Sequence, residues 1–153
     1  IENNEVLLGL VYLPETDELY SAILGEGAFH NGTRIHCSTV DSLDKSIIAY
    51  DNQFYLDSKS KTRFMNLVDS SFTVRVQGCS VADASSVAHG HLSARIYNST
   101  KLCDVAAGIL LVKESGGFAT DLSGNPIILN KISGLVLCNH LIQGELIEIL
   151  NRH

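Results

Sequence analysis

The spacing of apolar positions changes character near residue 45. Residues 6–13 are a run of branched and apolar side chains that stops at Pro14, and residues 15–18 are polar. Residues 19–24 are apolar again, so the two runs read as a β-hairpin. Residues 25–35 contain Asn31-Gly32, the strongest short turn dipeptide, and predict a second hairpin. Gly25, Gly27 and Gly32 are turn residues and not a phosphate loop, because no helix pattern follows them. After residue 45, short apolar runs alternate with stretches of helical period. Strands are expected at 46–50, 72–76, 94–97, 118–122, 126–129 and 134–138. Helices are expected at 58–69, 79–90, 104–116 and 140–151. Phe64, Leu67 and Val68 form the apolar side of the first, and Leu141, Leu146, Ile149 and Leu150 that of the last, which Asn139 can cap.

This alternation predicts an α/β fold, a mixed sheet with helices on its faces, preceded by antiparallel hairpin strands. Residues 1–40 read as the end of an N-terminal antiparallel sheet whose other strands lie outside this chain. Residues 41–153 read as an α/β domain. Two hairpins this apolar would leave a sheet edge open.

The segment from Leu102 to Gly117 organises the second part. Val105, Ile109 and Val112 recur at helical period, with Ala106 and Leu110 widening the stripe. Ala107 and Gly108 permit close backbone approach, and Gly116 or Gly117 can end the helix in the left-handed region. Asp104 falls at the helix start, where the dipole and free N–H groups favour a negative charge. By the local pattern alone it is a helix cap. A carboxylate there also suits a hard divalent cation.

A hydrophobic content of 45% with 18% charged residues describes a globular chain with a core of its own. A net charge of −6 and the lack of any basic run argue against a nucleic-acid partner. A small phosphorylated substrate remains compatible, since bound metal ions can supply positive charge. Cys37, Cys79, Cys103 and Cys138 form no C-x-x-C pair and read as reduced, mostly buried thiols of a cytoplasmic protein. His89 and His91 flank Gly90 as loop residues, and no run reaches membrane-spanning length.

Asp104-Val105-Ala106-Ala107-Gly108, Glu114-Ser115-Gly116-Gly117 and Thr120-Asp121-Leu122-Ser123-Gly124 together resemble the C-terminal signature of the inositol monophosphatase family. One departure is Cys103, where the family carries Trp. Residues 9–20 and 25–35 resemble the family's G-V-V-Y-x-P-x-x-D-E-L-F and G-x-G-A-F-x-N-G-x-x-I segments. The resemblance covers nearly all of the chain but only the later part of the family's enzyme. It implies a magnesium-dependent phosphomonoesterase, a metal-activated water, a small phosphorylated substrate and a homodimer. It also implies that Asp104 is a metal ligand. The other ligands come from the G-E-E and D-P-I/L-D-G-T motifs, absent here, so the chain alone is expected to be inactive. No catalytic residue beyond that ligand carries over.

Gly78-Cys79-Ser80 aligns with the family's G-T/S-A segment, whose backbone N–H groups help hold substrate. A serine beside an N-cap is the plainer reading of Ser80. Tyr97 falls where inositol-specific members place a glutamate that accepts a substrate hydroxyl. Tyrosine is uncharged at pH 7, which weakens the case for myo-inositol 1-phosphate and leaves phosphomonoester chemistry untouched. A buried strand tyrosine is its alternative. The second functional class is a non-catalytic descendant or fragment that binds a ligand or partner without turnover.

Overall fold

The computed structural model describes residues 1–55 and 57–152; Leu56, and His153 at the end of the expected 41–153 domain, lie outside the described residues. The first four strands, β1 (Leu8–Leu13), β2 (Glu18–Ile23), β3 (Gly27–His30) and β4 (Thr33–Ile35), form one antiparallel meander in that order. The two expected hairpins thus merge through β2 and β3, which pair from Tyr20 with His30 to Ile23 with Gly27. Its inner face carries Val11, Tyr20, Ala22, Ala28 and Ile35, all buried. Its outer face carries Leu8, Leu10, Tyr12, Leu19 and Ile23, all exposed.

The second sheet has five strands in the order β6-β5-β7-β9-β8: β5 (Ile47–Tyr50), β6 (Thr73–Arg75), β7 (Ala94–Tyr97), β8 (Gly117–Thr120) and β9 (Leu135–Asn139). β5 runs parallel to β6 and β7, while β9 is antiparallel to β7 and β8, so the sheet is mixed as expected. Four helices complete the fold: α1 (Ser58–Ser70), α2 (Ser80–Ala88), α3 (Leu102–Glu114) and α4 (Gln143–Leu150).

The layers follow from strand alternation. One core joins the meander, α2, α3 and the inward residues Ala49, Tyr97, Leu135 and Leu137 of the larger sheet. The other joins Ile48, Tyr50, Ala94, Ile96, Val136 and Cys138 on the opposite face to Leu67 of α1 and Leu146, Ile149 and Leu150 of α4. α2 and α3 are therefore sandwiched between two sheets, which requires small residues. A Cβ on Gly108 would stand 2.6 Å from the Ala84 Cβ, and one on Gly9 would stand 3.0 Å from the Ala107 Cα. The Glu114 carboxylate accepts from the Gly25 and Gly27 N–H groups at 2.9 and 2.8 Å, pinning the β2–β3 turn to the end of α3.

Several expectations need correcting. No strand forms at 126–129: Pro126 makes only an isolated bridge to Thr120, and Leu129–Lys131 is a single 3-10 turn. Proline has no N–H with which to continue a ladder. α3 begins at Leu102 with Lys101 as N-cap, so Asp104 lies inside the first turn and caps nothing. The earlier start lets Leu102 pack against the core. Asn139 ends β9, and its Oδ1 accepts from the N–H groups of Leu141 and Ile142, shaping the turn before α4. Val68 and Leu141 are exposed, and Ile142 is the buried residue at the start of the last helix. Cys37 and Cys138 are buried, but Cys79 and Cys103 are exposed because they sit at helix starts.

His89 and His91 are more than loop residues. The rings of Tyr20 and His30 stack at 4.6 Å, those of His30 and His89 approach to 4.7 Å, and those of His89 and His91 to 4.3 Å. The group joins the meander to the end of α2, with His30 Nε2 3.2 Å from Glu18 Oε1.

Candidate active site

The residues singled out at 78–80, 97 and 104 converge because α2 and α3 start side by side at the C-terminal ends of the parallel strands β6, β5 and β7. Gly78 has φ +75°, a conformation glycine adopts without strain, and turns the chain from β6 into α2. Cys79 is the N-cap of α2 but its side chain makes no capping bond, and among the described residues no side chain accepts from the first N–H groups of the helix. Ser80 Oγ donates to the Asp104 carbonyl at 3.0 Å, tying the first turns of α2 and α3 together. Below them the Tyr97 hydroxyl donates to the Ser80 carbonyl at 2.9 Å.

These elements form a cleft of about 250 Å³ lined by Gly78, Ser80, Arg95, Tyr97, Lys101 and Asp104, and also by residues 51–53. A hollow of about 290 Å³ beside Asn3–Val6 is lined on its α3 side by Ile109, Leu110 and Lys113 and contains no residue of the two helix starts. Chemistry, not volume, distinguishes the two. Of the expected site residues, Gly78, Ser80, Tyr97 and Asp104 line the cleft, whereas the Cys79 side chain is exposed outside it.

Asp104 is exposed, and the only hydrogen bond to its carboxylate among the described residues is a weak one from Cys103 Sγ at 3.6 Å. Asp51, buried at the end of β5, is differently occupied. Its Oδ2 accepts from the Asn98 N–H at 2.6 Å, and its Oδ1 from Asn98 Nδ2 and the Gln53 N–H. Asp51 shapes the wall, and Asp104 is the carboxylate with oxygens to offer. A hard cation accepts such an oxygen, but needs several. No group of three His, Cys, Asp or Glu side chains that could hold a metal occurs among the described residues. Asp104 thus fits a divalent ion as one ligand of a larger set.

Tyr97 is almost fully buried and its proton is committed to Ser80, leaving one lone pair as an acceptor. Burial pushes its pKa up, against the smaller opposing pull of the Ser80 bond. The floor beside it contains a pair that sequence reasoning passed over. Arg95 Nε stands 3.0 Å from Asp83 Oδ2, both side chains buried, and its guanidinium lies 4.3 Å over the Tyr97 ring. Burial raises the Asp83 pKa, and the Arg95 charge opposes that shift. A charged residue inside the otherwise apolar strand Ala94-Arg95-Ile96-Tyr97 was the signal that could have found it.

A family model described as the inositol monophosphatase family matches residues 1–153. A "Fructose-1,6-bisphosphatase/inositol-1-monophosphatase" of Thermotoga maritima is 32% identical over 99% of this chain and 57% of its own length. The solved structure of the extragenic suppressor protein suhB from Bartonella henselae superposes with a TM-score of 0.91 at 30% identity, over 97% of this chain and 57% of that one. A solved IMPase/NADP phosphatase complexed with NADP and Ca2+ gives 0.84 at 29%, over 96% and 56%. The chain therefore spans a little over half the length of the curated relatives it matches.

Proposed function

The chain belongs to the inositol monophosphatase family, and on that footing we propose that it is the C-terminal part of a magnesium-dependent phosphomonoesterase acting on a small phosphorylated metabolite. The observation that carries the reading is that Asp104 lines one cleft with the start of α2, whose N-cap side chain makes no capping bond. A phosphoryl group needs donors on one side and metal-neutralised charge on the other, and the two helix starts offer both positions.

In this reading Asp104 is one ligand of a Mg2+ site completed by carboxylates from the rest of the protein. Bound Mg2+ would clamp phosphoryl oxygens and make a water nucleophilic at neutral pH. The first N–H groups of α2, from Ser80 onward, receive oxygens of the substrate beside Gly78, whose φ of +75° a side chain would strain. Cys79 contributes its backbone and not its thiol. Tyr97 holds the Ser80 carbonyl in place and offers its remaining lone pair. Ser80 Oγ keeps the α2 and α3 termini in register, so that metal and substrate sites move together.

The exposed apolar face of the meander supports the same proposal. Five large side chains in one patch suit a covered surface better than an open one. Residues 1–40 are then the end of a larger sheet region and 41–153 the α/β domain, in a cytoplasmic homodimer. No helix among the described residues is long and apolar enough to cross a membrane. The test is release of inorganic phosphate from phosphomonoesters, with and without Mg2+, by the full-length protein and by the 153-residue chain. Turnover by the former alone is expected. No release by the full-length protein would overturn the enzyme reading, and robust release by this chain alone would overturn the division of labour.

A further inference from the structure

Asp51 stands one residue beyond the last pair of the β5–β7 ladder, Tyr50 with Ile96, so its side chain serves the chain that leaves the sheet. It is 6% exposed, and a carboxyl group is costly to bury unless its oxygens are answered. Three N–H donors answer them. Oδ2 accepts from the Asn98 N–H at 2.6 Å, and Oδ1 from Asn98 Nδ2 at 3.1 Å and the Gln53 N–H at 3.0 Å. Residues 51–53 and 99–101 all line the cleft, so one carboxyl group ties down both irregular stretches of its wall.

Asn98 is itself fixed from the other side. Its Oδ1 lies 2.9 Å from the Tyr50 hydroxyl and 3.3 Å from Arg63 Nη1, which reach it from β5 and α1. With donors at Oδ1 and the Asp51 acceptor at Nδ2, the amide has one orientation. The stretch held in this way leads directly into α3. The Thr100 N–H donates to the Ser133 carbonyl at 2.7 Å, while Lys101, the N-cap, makes no side-chain capping bond. Cys103 and Asp104 are exposed, and the helix is fully buried in the core only from Val105 onward. The place of Asp104 in that open first turn therefore depends on the chain before it, with the Ser80 bond as a second anchor. A metal ligand has to be held to within about 0.5 Å of its productive position.

We propose that Asp51 is a positioning residue: through Asn98 it sets residues 98–101 and, with them, the Asp104 carboxylate that the metal takes. This rests on the phosphomonoesterase reading, in which Asp104 is a Mg2+ ligand.

Asp51→Asn is nearly isosteric, but an amide offers one accepting oxygen where three N–H donors converge, and its own NH2 meets a donor. Calorimetric titration of the full-length variant with Mg2+, well below its melting temperature, should show binding about tenfold weaker. In the metal-free protein the amide hydrogens of residues 98–101 should exchange faster. Adding Asn98→Asp restores the match, since the new amide can accept from the backbone N–H at 98 and donate to the new carboxylate. Most of the lost affinity should return. On an Asp104→Asn background, Asp51→Asn should cost no further Mg2+ affinity, because its effect passes through Asp104. Asn98→Ala keeps the 2.6 Å backbone bond and removes the side-chain bond, so it should weaken Mg2+ by a smaller factor. It decides the matter if Asp51→Asn does not fold. Unchanged affinity in Asp51→Asn, or in Asn98→Ala where that variant decides, would overturn the proposal, as would a swap that recovers nothing. Losses that add on the Asp104→Asn background would make Asp51 a ligand and overturn it too. Unchanged Mg2+ affinity in Asp104→Asn itself would overturn the underlying metal assignment, a result distinct from any of these.

Discussion

Replacing Gly108 by alanine tests whether the two helices that form the cleft are held at a distance set by side-chain size. The added Cβ would lie 2.6 Å from the Ala84 Cβ, against about 3.5–4.0 Å for carbon atoms in contact. Ala84 is a short side chain on a buried helix and cannot swing aside, so α2 and α3 must separate by about 1 Å. Overpacking of this kind costs about 1–3 kcal/mol, and the gain in helix propensity from Gly to Ala returns about 1 kcal/mol. Gly108→Ala should therefore destabilise by about 1 kcal/mol net. In urea unfolding the midpoint should fall with the slope unchanged. The swap Ala84→Gly/Gly108→Ala restores the space while conserving composition, and should return stability to within about 0.5 kcal/mol of wild type, giving a clear coupling energy. The same separation would strain the 3.0 Å bond from Ser80 Oγ to the Asp104 carbonyl that aligns the cleft. A Gly108→Ala protein more stable than wild type by the full propensity gain would refute the close-packing argument.

Two further outcomes are expected. Burial, then the neighbouring His91 and His30 charges, hold the His89 pKa below its ordinary 6.5, with Glu18 opposing. The folded state binds fewer protons there than the unfolded one, so His89 contributes stability that is present above 6.5 and lost as pH falls through the folded value. His89→Gln should shrink the drop in Tm between about pH 8 and about pH 5, and an identical drop in the variant would contradict this. Glu114→Ala leaves the Gly25 and Gly27 N–H groups without their carboxylate, so thermal melting should show a loss of about 1–2 kcal/mol. Hydrogen exchange should speed up at those two amides first.

Local signals made the fold legible. Alternation in the first 35 residues, the Asn31-Gly32 turn and the small-residue helix at 102–114 each carry their structure in their own residues. The helix start was displaced because Leu102 packs into a core that local pattern does not show, which moved Asp104 from a capping position into the first turn. The strand at 126–129 failed because Pro126 cannot continue a ladder, and Ile127 and Leu129 pack into the core from irregular backbone and a 3-10 turn. Asp104, Gly78, Ser80 and Tyr97 were reachable through motif spacing, and the structure brings them to one cleft. The Asp83–Arg95 pair and the Tyr20–His30–His89–His91 stack were not, because each joins elements separated in sequence by non-local pairing. A lone charge in a buried strand is visible in a sequence; its partner is not.

The most direct measurement is Asp104→Asn in the full-length protein, following melting, Mg2+ dependence and turnover together. Asp104 is exposed and caps nothing, so stability should change by less than about 0.5 kcal/mol. Loss of one metal-ligating charge should raise the Mg2+ concentration needed for half-maximal rate and lower kcat by roughly two orders of magnitude. Unchanged Mg2+ dependence and turnover in the folded variant would show that Asp104 does not serve the metal.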